Sequence, residues 1–196
     1  MSDHGPIRNP RWKRATDVVV AVLGLAVAAL PMAAIALLIR IDSPGPALIR
    51  QRRIGQNGRE YQMYKFRTLP DGTRQMSKEL MLREQIQPTR LGSRLRRYSL
   101  DEIPQLINVV LGEMSLVGPR PALYTQTDLT EMRTRTGVLR VKPGITGLAQ
   151  VSGREDLDLI EKVRLDAQYV GTLSPWLDLQ IVRHTISAVL RGRGNY

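Results

Sequence analysis

VVVAVLGLAVAALPMAAIALLI, running from Val18 to Ile39, is a stretch of 22 consecutive residues without a charged or strongly polar side chain. As a straight helix at about 1.5 Å per residue it reaches roughly 33 Å, enough for the hydrocarbon core of a bilayer. The run exceeds the apolar core of about 7–15 residues that marks a cleaved signal peptide, so the segment is expected to stay in the mature protein. Two features argue against simple crossing. Pro31, near the middle, removes a backbone donor and clashes with the carbonyl four residues back, which predicts a bend. Arg8, Arg11, Lys13 and Arg14 precede the segment while Arg40, Arg50, Arg52 and Arg53 follow it, so the positive-inside rule wants both flanks on the cytoplasmic side. A helix that enters, bends at Pro31 and returns satisfies both flanks. A kinked span is the competing topology, and the residues alone leave both open. Asp17, at the entry, reads as a first-turn cap or as a partner for a nearby arginine.

Outside this segment the 196-residue chain has room for one compact core. No cysteine is present, which removes disulfides, zinc–thiolate sites and thiol nucleophiles together, and the two histidines, His4 and His184, leave little imidazole chemistry. Catalysis is therefore expected from oxygen and cationic groups. Lys and Arg number 29 against 18 Asp and Glu, a formal charge of +11 that calls for an anionic partner. Nucleic acid, anionic lipid and a phosphorylated substrate all meet that charge; aromatic residues make up only 5% of the chain, with a single Phe, so base-stacking platforms are scarce, which counts against single-stranded nucleic acid as the partner.

After Asp42-Ser-Pro-Gly-Pro46, the stretch from Ala47 to Thr68 reads as two extended runs around Gln56-Asn57-Gly58, a hairpin signal. Its strands carry Arg50, Arg52, Arg53, Arg59, Lys65 and Arg67, most of which fit a solvated basic face. Met76 to Gln87 reads as a polar helix or loop. Ile103, Leu106, Ile107 and Val110 fall at helical spacing and predict an amphipathic helix that stops at Gly112. Gly118-Pro-Arg-Pro121 and Lys142-Pro-Gly-Ile-Thr-Gly147 read as loops, with a helix around Thr125 to Thr136 between them. Trp176 to Leu190 is again amphipathic, as an interfacial helix would be. The fold class expected is α+β and mostly helical. Residues 1–46 form the membrane helix and its flanks, and residues 47–196 form a small domain with a β-hairpin and interfacial amphipathic helices.

Ser99-Leu-Asp-Glu102 matches a capping box, Ser at the cap and Glu three residues on. Pro104 weighs against it, because a helix capped by Ser99 would need a backbone donor at its fifth residue. A start near Asp101 puts Pro104 in the first turn, where no donor is needed. The adjacent carboxylates then sit at a helix mouth, which favours ionised Asp101 and attracts phosphate. Beside Arg94, Arg96 and Arg97 the pair would also suit Mg²⁺, which uses one or two carboxylates and substrate phosphates; alone, it equally fits a surface ion-pair cluster. Arg120 lies between Pro119 and Pro121, which hold a guanidinium fork for phosphate or simply make a rigid turn. Gly144 and Gly147 permit close backbone approach, to a phosphate or within a plain turn.

The ordered set of motifs resembles the small monotopic phosphoglycosyl transferases, the bacterial sugar transferase family. It runs from Lys13-Arg-Ala-Thr-Asp17 through Gln51-Arg-Arg-Ile-Gly55 and Lys65-Phe-Arg-Thr68 to Ser99-Leu-Asp-Glu-Ile-Pro-Gln-Leu106. Gly118-Pro-Arg-Pro121, Pro143-Gly-Ile-Thr-Gly147 and Gln150-Val-Ser-Gly-Arg154 complete it. The resemblance implies a re-entrant helix broken at Pro31 and a catalytic domain on the cytoplasmic face of the bacterial inner membrane. It implies transfer of a sugar-1-phosphate from a UDP-sugar to polyprenyl (undecaprenyl) phosphate. Asp101 would be the nucleophile of a covalent intermediate and UMP the leaving group. Mg²⁺ would be held by Glu102 with help from Asp101, and Arg96, Arg120, Lys65, Arg67 and Arg154 would bind substrate phosphate. Leu69 stands where the family usually has Met, and Leu30 precedes Pro31 where some members carry Ser. The likeness is to the family's minimal form, without further N-terminal spans. A non-enzymatic alternative, a membrane-anchored basic module binding anionic lipid or nucleic acid, explains the charge but gives Asp101 and Glu102 no role.

Overall fold

A computed structural model describes residues 10–74, 76, 78–153 and 157–192. Arg11–Asp42 forms one helix, α1, of 32 residues. Pro31 lies inside it and does not divide it in two, so α1 runs on through the proline as one helix. The contacts of α1 are more telling. Asp17, Ala21 and Ile39 are buried, and Met32 and Ile35 are packed beside Ile39, a stripe at helical spacing. Ala21 joins a cluster with Tyr61, Met63, Val109 and Met114, while Ile39 joins Ala47, Phe66 and Leu95. Both ends of α1 therefore pack on one body. Between those anchor points the other side of α1 turns apolar residues outward, Val27 and Leu30 being 82% and 83% exposed.

The start of α1 is tied down by polar contacts. Lys13 Nζ donates to Asp178 Oδ2 at 2.5 Å, and Arg14 donates to the carbonyls of Val109 and Val110. Asp17 is neither of the things its sequence context suggests. Its Oδ1 accepts the backbone N–H of Leu116 at 3.0 Å and so fastens the helix to a strand 99 residues away.

β1 (Leu48–Ile54) and β2 (Glu60–Phe66) form the expected antiparallel hairpin, with Ile54 opposite Glu60 and Leu48 opposite Phe66. Asn57 and Gly58 take the left-handed conformations, φ 57° and 74°, that the turn requires. Side chains alternate along β1: Leu48, Arg50 and Arg52 face outward, and Ile49, Gln51 and Arg53 inward. α2 (Lys78–Arg83) and α3 (Arg90–Arg97) follow. Thr89 caps α3 by accepting from the N–H of Gly92. A Cβ on Gly92 would stand 2.1 Å from the Thr68 carbonyl oxygen, so glycine lets α3 close onto the end of β2.

α4 (Gln105–Leu111) ends at Gly112 as predicted, but its start and its buried face differ from expectation. Gln105, Asn108 and Val109 are buried, whereas Leu106 and Val110 are only partly covered. The polar members face inward because they are satisfied there. Asn108, fully buried, donates to the carbonyl of Gln62 at 2.7 Å and accepts the N–H of Tyr64 at 3.0 Å. It occupies the outer edge of β2 where a third strand would pair.

Two segments read as loops contain short strands, β3 (Ser115–Val117) and β4 (Gly144–Thr146), paired in parallel. A Cβ on Gly144 would lie 2.1 Å from the Gly118 nitrogen and one on Gly147 would lie 2.2 Å from the Gly118 oxygen. The close approach these glycines permit is to the chain itself. α5 (Thr127–Arg135) and α8 (Pro175–Leu190) fall where expected, with Ser174 capping α8. α6 (Leu148–Ser152) and α7 (Leu159–Gly171) complete the fold.

Candidate active site

Asp101 and Glu102 sit in a single 3-10 turn, Leu100–Glu102, between α3 and α4. Ser99 precedes them in the left-handed conformation, φ 52°, a strained choice for serine that reverses the chain. The capping box is not formed, since the Ser99 side chain caps nothing. Pro104 stands at the N-cap of α4. The carboxylates thus lie one turn ahead of the helix rather than in its first turn, a shift set by the strained serine and the proline together.

Despite their charge both are buried, at 3% and 5% exposure. Lys65, near the end of β2, lies 3.2 Å from Asp101 Oδ2 and donates to Glu102 Oε1 at 2.9 Å. Arg120 donates to the same Glu102 oxygen at 3.0 Å. Burial would raise the Glu102 pKa, but Arg120 and Lys65 outweigh it and hold the carboxyl down to about 2. Asp101 Oδ1 is enclosed and has no hydrogen-bond partner. A buried carboxylate oxygen left unpaired is costly and invites an electrophile, whether a cation or a phosphorus centre.

The pair lines a cleft of about 1000 Å³ that extends past Arg53, Arg96 and Arg120 to α7 and α8. Of the expected phosphate ligands, Lys65, Arg67, Arg96 and Arg120 all line it. Their present engagements differ. Arg96 Nε donates to Thr68 Oγ1 at 2.9 Å. Arg67 is buried and donates to the carbonyls of Ser43 and Pro44, which fastens the loop after α1 to the domain. Arg154 lies outside the described residues. Arg120 is held by its neighbours as well as by its flanking prolines. Arg133 Nη1 donates to the Arg120 carbonyl at 2.6 Å, and Arg53 Nη1 donates to that of Pro121 at 3.1 Å.

Arg133 and Asp166 were not visible as site residues in the sequence. They form a buried ion pair at 2.5 Å along the cleft, bringing α5 and α7 together from 33 residues apart. Nothing local marks either one. Arg53 was legible only as part of a basic strand, and its inward side of β1 is what sets it apart.

Adjacent buried carboxylates beneath two cations, in a large cleft lined by further arginines, make a constellation suited to phosphorylated ligands. The family model described as bacterial sugar transferase matches residues 8–192, and the chain belongs to that family, as an enzyme of the phosphoglycosyl transferase type. The exopolysaccharide production protein ExoY of Rhizobium meliloti (strain 1021) is 37% identical over 199 residues, covering 94% of this chain and 88% of ExoY. The UDP-glucose:undecaprenyl-phosphate glucose-1-phosphate transferase of Escherichia coli (strain K12) is 40% identical over 187 residues, 91% of this chain and 40% of that protein. The galactosyl transferase CpsE of Streptococcus agalactiae is 38% identical, and the chain spans 43% of its length.

Proposed function

We propose that this protein transfers a sugar-1-phosphate from a UDP-sugar to undecaprenyl phosphate through a covalent intermediate on Asp101. The observation that carries the reading is the unpaired, enclosed Oδ1 of Asp101, beside a Glu102 held ionised by Lys65 and Arg120. Relatives whose names state this substrate pair support the reaction class. In the first step an Asp101 oxygen bonds to the sugar-linked phosphorus, and the bond to the bridging oxygen breaks. UMP leaves with that electron pair. In the second step an oxygen of the lipid phosphate attacks the same phosphorus and returns the carboxylate. Lys65, 3.2 Å from Asp101 Oδ2, holds that carboxylate in place between turnovers, and Arg120 meets charge on the reacting phosphate.

Mg²⁺ fits this donor set. Glu102 would hold it with help from Asp101, whose unpaired oxygen is a hard donor, and substrate phosphates would complete the shell. Bound there, the ion would neutralise the diphosphate. The packing of both ends of α1 on one body supports a re-entrant helix, because a crossing helix leaves its domain at one end, and the basic residues on both flanks favour the cytoplasmic face of the inner membrane.

The test is UMP release across a panel of UDP-sugars, with enzyme in lipid nanodiscs. Wild type should turn over one or a few of them. Asp101→Asn should lose at least about 10³-fold in rate and still partition with membranes. Undiminished turnover by Asp101→Asn would overturn the assignment.

A further inference from the structure

We propose that Arg53 anchors the phosphate that departs with the nucleotide, a role that rests on the transferase reading above. Arg53 lines the cleft from the inward side of β1, opposite Tyr61 in the hairpin register. Its two hydrogen-bond acceptors are neutral, the Pro121 carbonyl at 3.1 Å and Gln51 Oε1 at 3.0 Å. Its Nε is enclosed and donates to nothing. Neighbouring cations are differently placed: Arg52 pairs with Glu60, Lys65 and Arg120 pair with Glu102, and Arg133 pairs with Asp166. Among the described residues no carboxylate lies within ion-pair distance of Arg53. Burial and the nearby Arg120 push its guanidinium down to about 10, so the charge is held at a cost.

A cation enclosed without a counter-ion in a substrate cleft is stabilised when an anion arrives. The carboxylate pair already balances Lys65 and Arg120 charge for charge, so the incoming diphosphate needs a further cation. Arg53 touches the residue after Arg120, which places it beside the reacting phosphate, where the next phosphate of a diphosphate would lie. When the bridging P–O bond breaks, the departing phosphate gains a negative charge, and Arg53 would meet it there. The nucleoside monophosphate is thus its ligand.

Equilibrium binding of UMP and of uridine, to enzyme in nanodiscs, separates the phosphate from the base. Wild type should prefer UMP. Arg53→Gln should weaken UMP roughly 10–100-fold while leaving uridine unchanged, with Arg53→Lys intermediate. An unchanged UMP-over-uridine ratio in Arg53→Gln would overturn the proposal. So would equal loss of both ligands, which marks a merely structural hold on Pro121. A variant that keeps UMP but loses a short-chain polyprenyl phosphate would also overturn it, by assigning Arg53 to the acceptor. A wild type without any UMP preference would overturn the transferase reading itself, and this proposal with it.

Discussion

Glu102 shows how a buried charge is made tolerable. Taking a carboxylate out of water is costly, and two cations within 3.0 Å of one oxygen reverse the balance. A carboxyl whose folded pKa is depressed contributes stability that is complete above its ordinary value. That contribution drains as pH falls through the folded value. For Glu102 the window runs from about 4.5 down to about 2. Acid unfolding followed by circular dichroism should therefore steepen for wild type between those limits, and Glu102→Gln should remove that part of the slope. Equal slopes would mean that the ion pairs do not set the titration. At this scale the sequence was informative about Asp101 and Glu102, because Pro104 restricts where a helix can begin. It was silent about Arg53, since Arg52 and Arg53 are chemically identical and only the alternation of β1 sends one into the cleft and the other to solvent.

Between elements, Asn108 decides how the hairpin meets α4. Replacing it with Ala leaves the Tyr64 N–H and the Gln62 carbonyl facing a buried gap. The expected cost is about 2–3 kcal/mol, a thermal midpoint lower by roughly 5–10 °C for a chain of this size. Because β2 also carries Lys65, the same variant should lose turnover more than a stability loss alone explains, and a melting curve measured beside the assay separates the two. A midpoint within a degree of wild type would show that water replaces Asn108 without penalty. The hairpin and α8 were legible because each carries its own local signal, an Asn-Gly turn in one and helical periodicity in the other. β3 and β4 were not. Each is three residues long and is defined by a partner about 29 positions away and by glycines that admit backbone against backbone. The buried face of α4 escaped for the opposite reason: periodicity assigns apolar residues to the core, and here buried Gln105 and Asn108 contest it by finding partners.

At the scale of the molecule the question is where α1 goes. Its 22 apolar residues are long enough to cross a bilayer, and hydropathy alone favours crossing. Three further facts pull the other way. Basic residues flank both ends, Lys13 and Arg14 bind α8 and α4 at one end, and Arg67 binds the carbonyls of Ser43 and Pro44 just past the other. A crossing helix would have to give up one of these attachments and leave a buried guanidinium or ammonium without its partner, a loss of several kcal/mol. A helix that enters and returns keeps both. The chain has no cysteine, so single cysteines at Arg11 and Asp42 can be labelled with a membrane-impermeant maleimide in sealed, oriented vesicles without background. Both positions should react from the same face, the one that also exposes the catalytic domain to added protease. Labelling from opposite faces would establish a span and detach at least one of the two polar anchors from the domain.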